Sequence, residues 1–301
     1  MTETIEIAAR GMCFTADAAG PADGETVIFL HGFPNSRHSW PAQMDAVAAA
    51  GFRGIAYDQR GYSAGARPEG IEAYHVDEIV ADVAAIADAV GADRFHLAGH
   101  DWGGQIAWLT AIAHADRLRS LTVLSRPHPA AFARAFKADP AQQNRSRHHK
   151  AFQDPGMADR LLKNGIEPLR NTLTWENATG MFGVGDGAKV TRRMSDAQAD
   201  AHLSVLKDRP AIDAALNWYR AAFGGGSTLA REETPRIAVP TLYLWGTEDI
   251  SVGRAAAEGT AGFIDAPYRF VEIEGAGHFL AEEVPETVNA ALVPHLEANR
   301  G

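Results

Sequence analysis

The stretch of this chain best suited to chemistry is Gly99-His100-Asp101-Trp102-Gly103-Gly104-Gln105. It follows the apolar run Phe95-His96-Leu97-Ala98 and opens a segment with apolar residues at Ile106, Leu109 and Ile112, one face of a helix. Strand, sharp turn and helix, with G-x-D-x-G at the bend, is the geometry of a nucleophile elbow, carrying aspartate where serine is commoner. Gly99 and Gly103 let the backbone take the strained dihedrals that such a turn forces. The following helix presents its free N–H groups and the positive end of its dipole to the turn. A carboxylate held there stays ionised and is a ready nucleophile toward an sp3 carbon. On its own the motif is equally a helix-capping aspartate in a glycine turn, so its meaning rests on the rest of the chain.

An elbow needs a sheet beneath it. Residues 3–16 alternate as an opening strand or hairpin, and Thr26-Val27-Ile28-Phe29-Leu30 is a β-rich run suited to burial on both faces. That run leads into His31-Gly32-Phe33-Pro34, where Pro34 is a candidate for a cis bond. A helix over about 40–50, a strand at Gly54-Ile55-Ala56-Tyr57-Asp58 and a helix over 77–90 come before the elbow strand. Leu121-Thr122-Val123-Leu124 comes after it. Strands alternating with helices over short connections predict a doubly wound, mostly parallel sheet.

After Pro127-His128-Pro129 the alternation stops. Residues 130–235 carry helical patterns without a convincing strand, interrupted by a glycine-rich interval (Gly180 to Gly187) and the linker Gly224-Gly225-Gly226-Ser227. The interval lacks the spacing of a nucleotide loop. The segment reads as a helical cap, dividing the chain into core 1–129, cap 130–235 and core 236–301. Strand patterns return at Thr241-Leu242-Tyr243-Leu244-Trp245, ending in Gly246-Thr247-Glu248-Asp249. The last strand, Tyr268-Arg269-Phe270-Val271-Glu272-Ile273, ends in Gly275-Ala276-Gly277-His278, and a helix over 285–298 follows.

With 301 residues, 46% of them apolar, the chain can bury a sizeable core, and disordered or fibrous classes do not fit. A formal net charge of −10 argues against nucleic acid, which needs clustered Lys and Arg. One cysteine, Cys13, excludes an internal disulfide framework and a cysteine zinc site, making a reducing compartment the default. No signal-peptide pattern and no apolar run of membrane-spanning length are visible, so the expectation is a soluble cytoplasmic protein without membrane contact. No metal or cofactor is expected: H-E-x-x-H is missing, and the adjacent His148 and His149 should face apart on a helix. A homodimer is compatible with the sequence but not required by it.

Together, His31-Gly32-Phe33-Pro34, Gly99-His100-Asp101-Trp102-Gly103-Gly104, Gly246-x-x-Asp249 and Gly277-His278-Phe279 resemble the α/β-hydrolase superfamily. Within it they look like the branch of epoxide hydrolases and dehalogenases that uses an aspartate nucleophile. The resemblance covers nearly the whole chain and is weakest in the cap. It implies an α/β-hydrolase fold, a mostly parallel central sheet flanked by helices with an inserted helical cap. It also implies that Asp101 attacks a carbon bearing a leaving group, forming an alkyl-enzyme ester. His278, oriented by Asp249, would then activate the water that cleaves the ester, with the N–H groups of Phe33 and Trp102 as oxyanion hole. The acid position falls on Asp249 rather than Glu248, which then turns elsewhere. Ser125, where some relatives keep the acid, cannot serve.

The two branches of this resemblance differ at the leaving group. A halide needs N–H donors, and Trp102 is present, but Phe33 stands where a second side-chain donor would. The arginines that grip the carboxylate in fluoroacetate-type dehalogenases fall here on Trp102 and Gln105. An epoxide needs a donor on its ring oxygen, commonly two cap tyrosines. Asn217-Trp218-Tyr219-Arg220 resembles one such segment and points to Tyr219. Aligning Phe152-Gln153-x-Pro155-Gly156 puts His148 at the other position, as in an atypical His/Tyr subgroup, donating through Nε2–H. The same histidine aligns with a cap histidine of the fluoroacetate-type enzymes. Phe33, Trp102, His149 and Trp218 are the candidate substrate-binding residues. Trp40, Trp175 and Trp218 are candidates for lining an apolar cavity, although core packing is the commoner use. The expected function is opening of an apolar epoxide by water to a vicinal diol through an alkyl-aspartate ester. The alternative is a haloalkane or haloacid dehalogenase with the same triad, and less favoured is a non-catalytic ligand-binding protein on this fold.

Overall fold

The computed structural model describes residues 2–163, 165–174, 193–223 and 234–301. Trp175, the glycine-rich interval and the linker after Phe223 lie outside these. Strands β1 (Glu3–Ala9), β2 (Met12–Ala19), β3 (Thr26–Leu30), β4 (Arg53–Tyr57), β5 (Phe95–His100), β6 (Leu118–Leu124), β7 (Thr241–Gly246) and β8 (Tyr268–Ile273) form one sheet. Their order is β1-β2-β4-β3-β5-β6-β7-β8. β1 and β2 make the expected hairpin, and β2 runs antiparallel to β4. All later pairings are parallel.

Period-two alternation within uninterrupted apolar strands explains why both faces are covered. Val27 and Phe29 point into one core with Leu242 and Leu244, beneath α1 (Pro41–Ala49) and α13 (Pro285–Glu297). Ile28 and Leu30 point into the other with Val123 and Tyr243, beneath α2 (Val76–Ala89) and α3 (Trp102–Ala113). Trp40 is fully buried with its ring 5.0 Å from that of Phe29, so its role is core packing. β6 begins at Leu118, earlier than its apolar run suggests: Arg119 and Ser120 interrupt the apolar pattern, and the register with β5 shifts there, so that Leu118 stands opposite Phe95 and Ser120 opposite His96.

Between β6 and β7 the described residues hold helices and no named strand: α4 (Pro129–Ala138), α5 (Pro140–Arg145), α6 (His148–Ala151), α7 (Met157–Lys163), α8 (Glu167–Thr174), α9 (Asp196–Leu203) and α10 (Arg209–Phe223). Polar contacts tie them to the loops at the C-terminal edge of the sheet. The Trp218 indole donates to the Arg60 carbonyl at 2.8 Å. The buried His202 ring, on α9, accepts from the Ser36 amide and sits 3.3 Å from Glu282. Helix α11 (Arg254–Gly259) follows β7, and α12 (Leu280–Glu283) follows the last strand. Among the described residues no helix is long and apolar enough to cross a membrane.

Candidate active site

Four loops leave the C-terminal ends of parallel strands on one side of the sheet, where open α/β folds place their ligands. After β5 the chain turns at Asp101 with φ 51° and ψ −117°, a left-handed conformation that costs a non-glycine residue energy. A side chain at Gly103 would collide with the Leu30 carbonyl, and a Cβ on Gly32 would sit 2.5 Å from Asp101 Oδ1. Glycine at these two places lets the loops after β3 and β5 touch. The Phe33–Pro34 bond is cis.

The loop after β3 is held by His31. Its Nδ1–H donates to the Gly32 carbonyl (2.9 Å), and its Nε2 accepts from the Gln59 amide (3.2 Å). Burial lowers the pKa of this ring to about 4, so the neutral tautomer persists. So braced, the Phe33 amide donates to Asp101 Oδ1 at 3.0 Å. Trp102 opens α3, and its amide has no acceptor one turn back. Of the two expected oxyanion donors, the Phe33 amide touches the Asp101 carboxylate, and the Trp102 amide is the first of the helix that follows it.

His278 arrives on the loop after β8. Its Nδ1 lies 2.9 Å from each oxygen of Asp249, and its Nε2 lies 3.6 Å from Asp101 Oδ2, an ion-pair distance. Asp249 is held in turn by the amides of Ser251 (2.7 Å) and Val252 (2.9 Å). Glu248 turns outward, half exposed, to meet Arg193 at 3.0 Å.

Charge follows from this geometry. Burial works against an imidazolium, but the Asp249 and Asp101 carboxylates outweigh it and raise the pKa of His278 to about 10. Burial likewise opposes ionisation of Asp101, yet His278, His100 and the Phe33 amide hold its carboxyl well below the usual range. At rest the site is a carboxylate facing an imidazolium.

Above Asp101 sits Tyr219 of α10, buried, with its ring 5.1 Å from Trp102, 5.6 Å from Phe33 and 4.8 Å from Phe152. Burial, reinforced by the Asp101 carboxylate, pushes its phenol well above the usual value. The phenol therefore keeps its proton and has it to give. Trp218 and His149 also reach this cluster, at 5.8 Å from Trp102 and 5.9 Å from Tyr219 respectively.

Two expectations about the histidines of α6 need correction. His148 Nδ1 lies 3.1 Å from the Arg145 carbonyl, which can only accept, so that nitrogen bears the proton. Burial lowers the pKa to about 4, the ring is neutral, and Nε2 is an acceptor rather than the predicted donor. Nor do His148 and His149 face apart: the short helix lets their rings meet edge-on at 4.4 Å. Both rings approach Tyr219.

Sequence reasoning missed the side chains that hold the triad in place. Glu283 accepts from the amides on both sides of His278, Gly277 at 2.8 Å and Phe279 at 2.9 Å, and pairs with Arg193. Gln142 bridges the Ser251 carbonyl and the Gly253 amide, each at 2.8 Å, and Arg145 donates to the Asp249 carbonyl at 2.6 Å. No local pattern marks these residues, because each acts on a loop distant in sequence.

Residues 25–285 match the family described as alpha/beta hydrolase fold. The chain is 36% identical to Epoxide hydrolase A of Mycobacterium tuberculosis, across 92% of each chain. It is 32% identical to Epoxide hydrolase 3 of Xenopus tropicalis, across 96% of this chain and 76% of that one. Among solved structures, Epoxide Hydrolase A from Mycobacterium thermoresistibile superposes with a TM-score of 0.83 at 27% identity, across 100% of this chain and 99% of that one. An epoxide hydrolase from hot-environment metagenomes gives 0.83 at 29% identity, with 98% of each chain covered.

Proposed function

The chain belongs to the alpha/beta hydrolase family, on its epoxide hydrolase branch, and from that premise we propose that it opens epoxides to vicinal diols through an ester on Asp101. The observation that carries this reading is the position of His278, 2.9 Å from Asp249 and 3.6 Å from Asp101. One imidazole thus serves a carboxylate that reacts and a carboxylate that only orients.

Asp101 attacks an epoxide carbon, the C–O bond opens, and Tyr219 gives its proton to the departing oxygen. A poor leaving group needs such a proton, and a buried phenol beside the nucleophile supplies it without solvent. Esterification removes the negative charge of Asp101, and with it one of the two anions that kept His278 protonated. The imidazolium then returns a proton to the tyrosinate and becomes a base. It takes a proton from water, and the hydroxide adds to the ester carbonyl carbon. The Phe33 and Trp102 amides stabilise that oxyanion; a donor in this position is worth about 2.7–4 kcal/mol of barrier. Collapse expels the diol, whose leaving oxygen takes the proton of the new carboxyl group. Asp101 is a carboxylate again and His278 an imidazolium. In sum, epoxide and water become diol. His148, neutral with its proton on Nδ1, presents Nε2 as an acceptor and helps place the reacting water or the tyrosine hydroxyl rather than donating to the substrate. Residues 130–235 act as the cap that carries Tyr219, His148, His149 and Trp218 over the nucleophile.

The test is Tyr219→Phe on styrene oxide. Single-turnover formation of the covalent adduct should slow by about 10²-fold or more, the usual range for a lost general acid. Decay of an adduct already formed should change far less. An unchanged rate of adduct formation would remove Tyr219 from this role.

A further inference from the structure

Positions 102 and 105 hold Trp and Gln, so the helix that follows the nucleophile offers no cation in its first turn. The fold brings one from another element. Arg126 follows β6 by two residues and lies beside the helix that starts at the nucleophile. Its Nε and Nη2 donate to Gln105 Oε1, at 3.1 and 3.0 Å. The guanidinium carbon stands 4.5 Å over the Phe132 ring of α4, and the Arg126 carbonyl accepts from the Trp108 indole at 2.9 Å. Gly104 makes room for this packing, since a Cβ there would lie 2.8 Å from that of Arg126.

The plane of the guanidinium is thereby fixed, and one of its edges is filled by a neutral oxygen. On the other edge, Nη1 and the second N–H of Nη2 have no acceptor among the described residues, and no carboxylate there forms an ion pair with the group. Nη1 is nevertheless not among the atoms sealed from solvent. Asp101, Tyr219 and Tyr243 act on this charge, and the charge in turn acts on His148 and His149. Geometry sets it beside the catalytic cluster: Arg126 lies two residues beyond Leu124, whose carbonyl accepts from the Asp101 amide at 3.3 Å, and it is held against Gln105, one turn into the helix that follows Asp101. Desolvation disfavours the cation, yet arginine stays charged in proteins. A partly buried cation without a counter-ion is costly to keep, and a planar fork with one open edge matches a carboxylate bidentately. A dianionic phosphate would double the repulsion from Asp101, which favours a monoanion.

We propose that Arg126 anchors a carboxylate on the substrate, so that the preferred substrates are epoxy acids, small molecules bearing an oxirane and a carboxylate together. This rests on the epoxide-opening reading above. The experiment compares 3-phenylglycidate with its neutral amide, 3-phenylglycidamide, and uses styrene oxide as a reference with no acyl group. The wild type should prefer the acid over the amide in kcat/KM by about 10- to 100-fold, the range for a hydrogen-bonded charge pair. Arg126→Leu should erase that preference, chiefly through KM for the acid. Gln105→Glu keeps the arginine but hands it an internal carboxylate, and should shrink the preference as well; it serves if Arg126→Leu fails to fold. Turnover of styrene oxide with no preference for the acid overturns the anchor and leaves epoxide opening intact. A preference that survives both variants also overturns it. No turnover of any of the three epoxides overturns the underlying reading itself.

Discussion

With His278 replaced by glutamine, one addition of an aryl epoxide should leave the protein alkylated on Asp101 and stalled. Alkylation needs an ionised Asp101 and a proton donor, and the variant retains both. The Phe33 amide still donates to Asp101 Oδ1 at 3.0 Å, and Tyr219 still packs against Phe33 and Trp102 beside the nucleophile. Hydrolysis of the ester needs a base, and glutamine cannot be one. Steady-state turnover should fall by about 10⁴-fold or more, on the scale seen when one member of a catalytic set is removed. Intact-protein mass spectrometry should show one added epoxide mass per chain, and peptide mapping should place it on Asp101. Slow turnover without a persistent adduct would argue that water, not the protein, attacks the epoxide.

Asp101→Asn should have an effect of the same order on a different step. The amide oxygen can still accept from Phe33, so the elbow keeps its contact, but a neutral amide is a far weaker nucleophile. Diol formation should drop by about 10⁴-fold or more. No adduct should form even when His278→Gln is added, which separates loss of attack from loss of hydrolysis. The variant also removes one of the two carboxylates that raise the pKa of His278 to about 10. The imidazole should therefore titrate at lower pH than in the wild type, as it must after esterification for it to act as a base.

How much of this the sequence disclosed depends on how local each feature is. The elbow was legible because its glycines, strand and helix are contiguous, β3 because its apolar run ends in a turn, and β8 because its β-rich segment ends at Gly275. Asp249 and His278 were found by their motifs, and the structure brings both to one side of the sheet. The His148 tautomer was not legible, because a carbonyl three residues earlier decides it. Nor was the meeting of the two α6 rings, which depends on a short helix packed against Tyr219. Arg126, Gln142, Arg145 and Glu283 look like ordinary polar residues along the chain. They gain their roles only when the fold sets them against Gln105, the loop after β7 and the amides around His278.

The most direct test follows oxygen. In a single turnover in heavy-oxygen water, the label should enter the Asp101 side chain and be absent from the diol, since the oxygen delivered to the product comes from the original carboxylate. A labelled diol released from an unlabelled protein would contradict a covalent ester on Asp101.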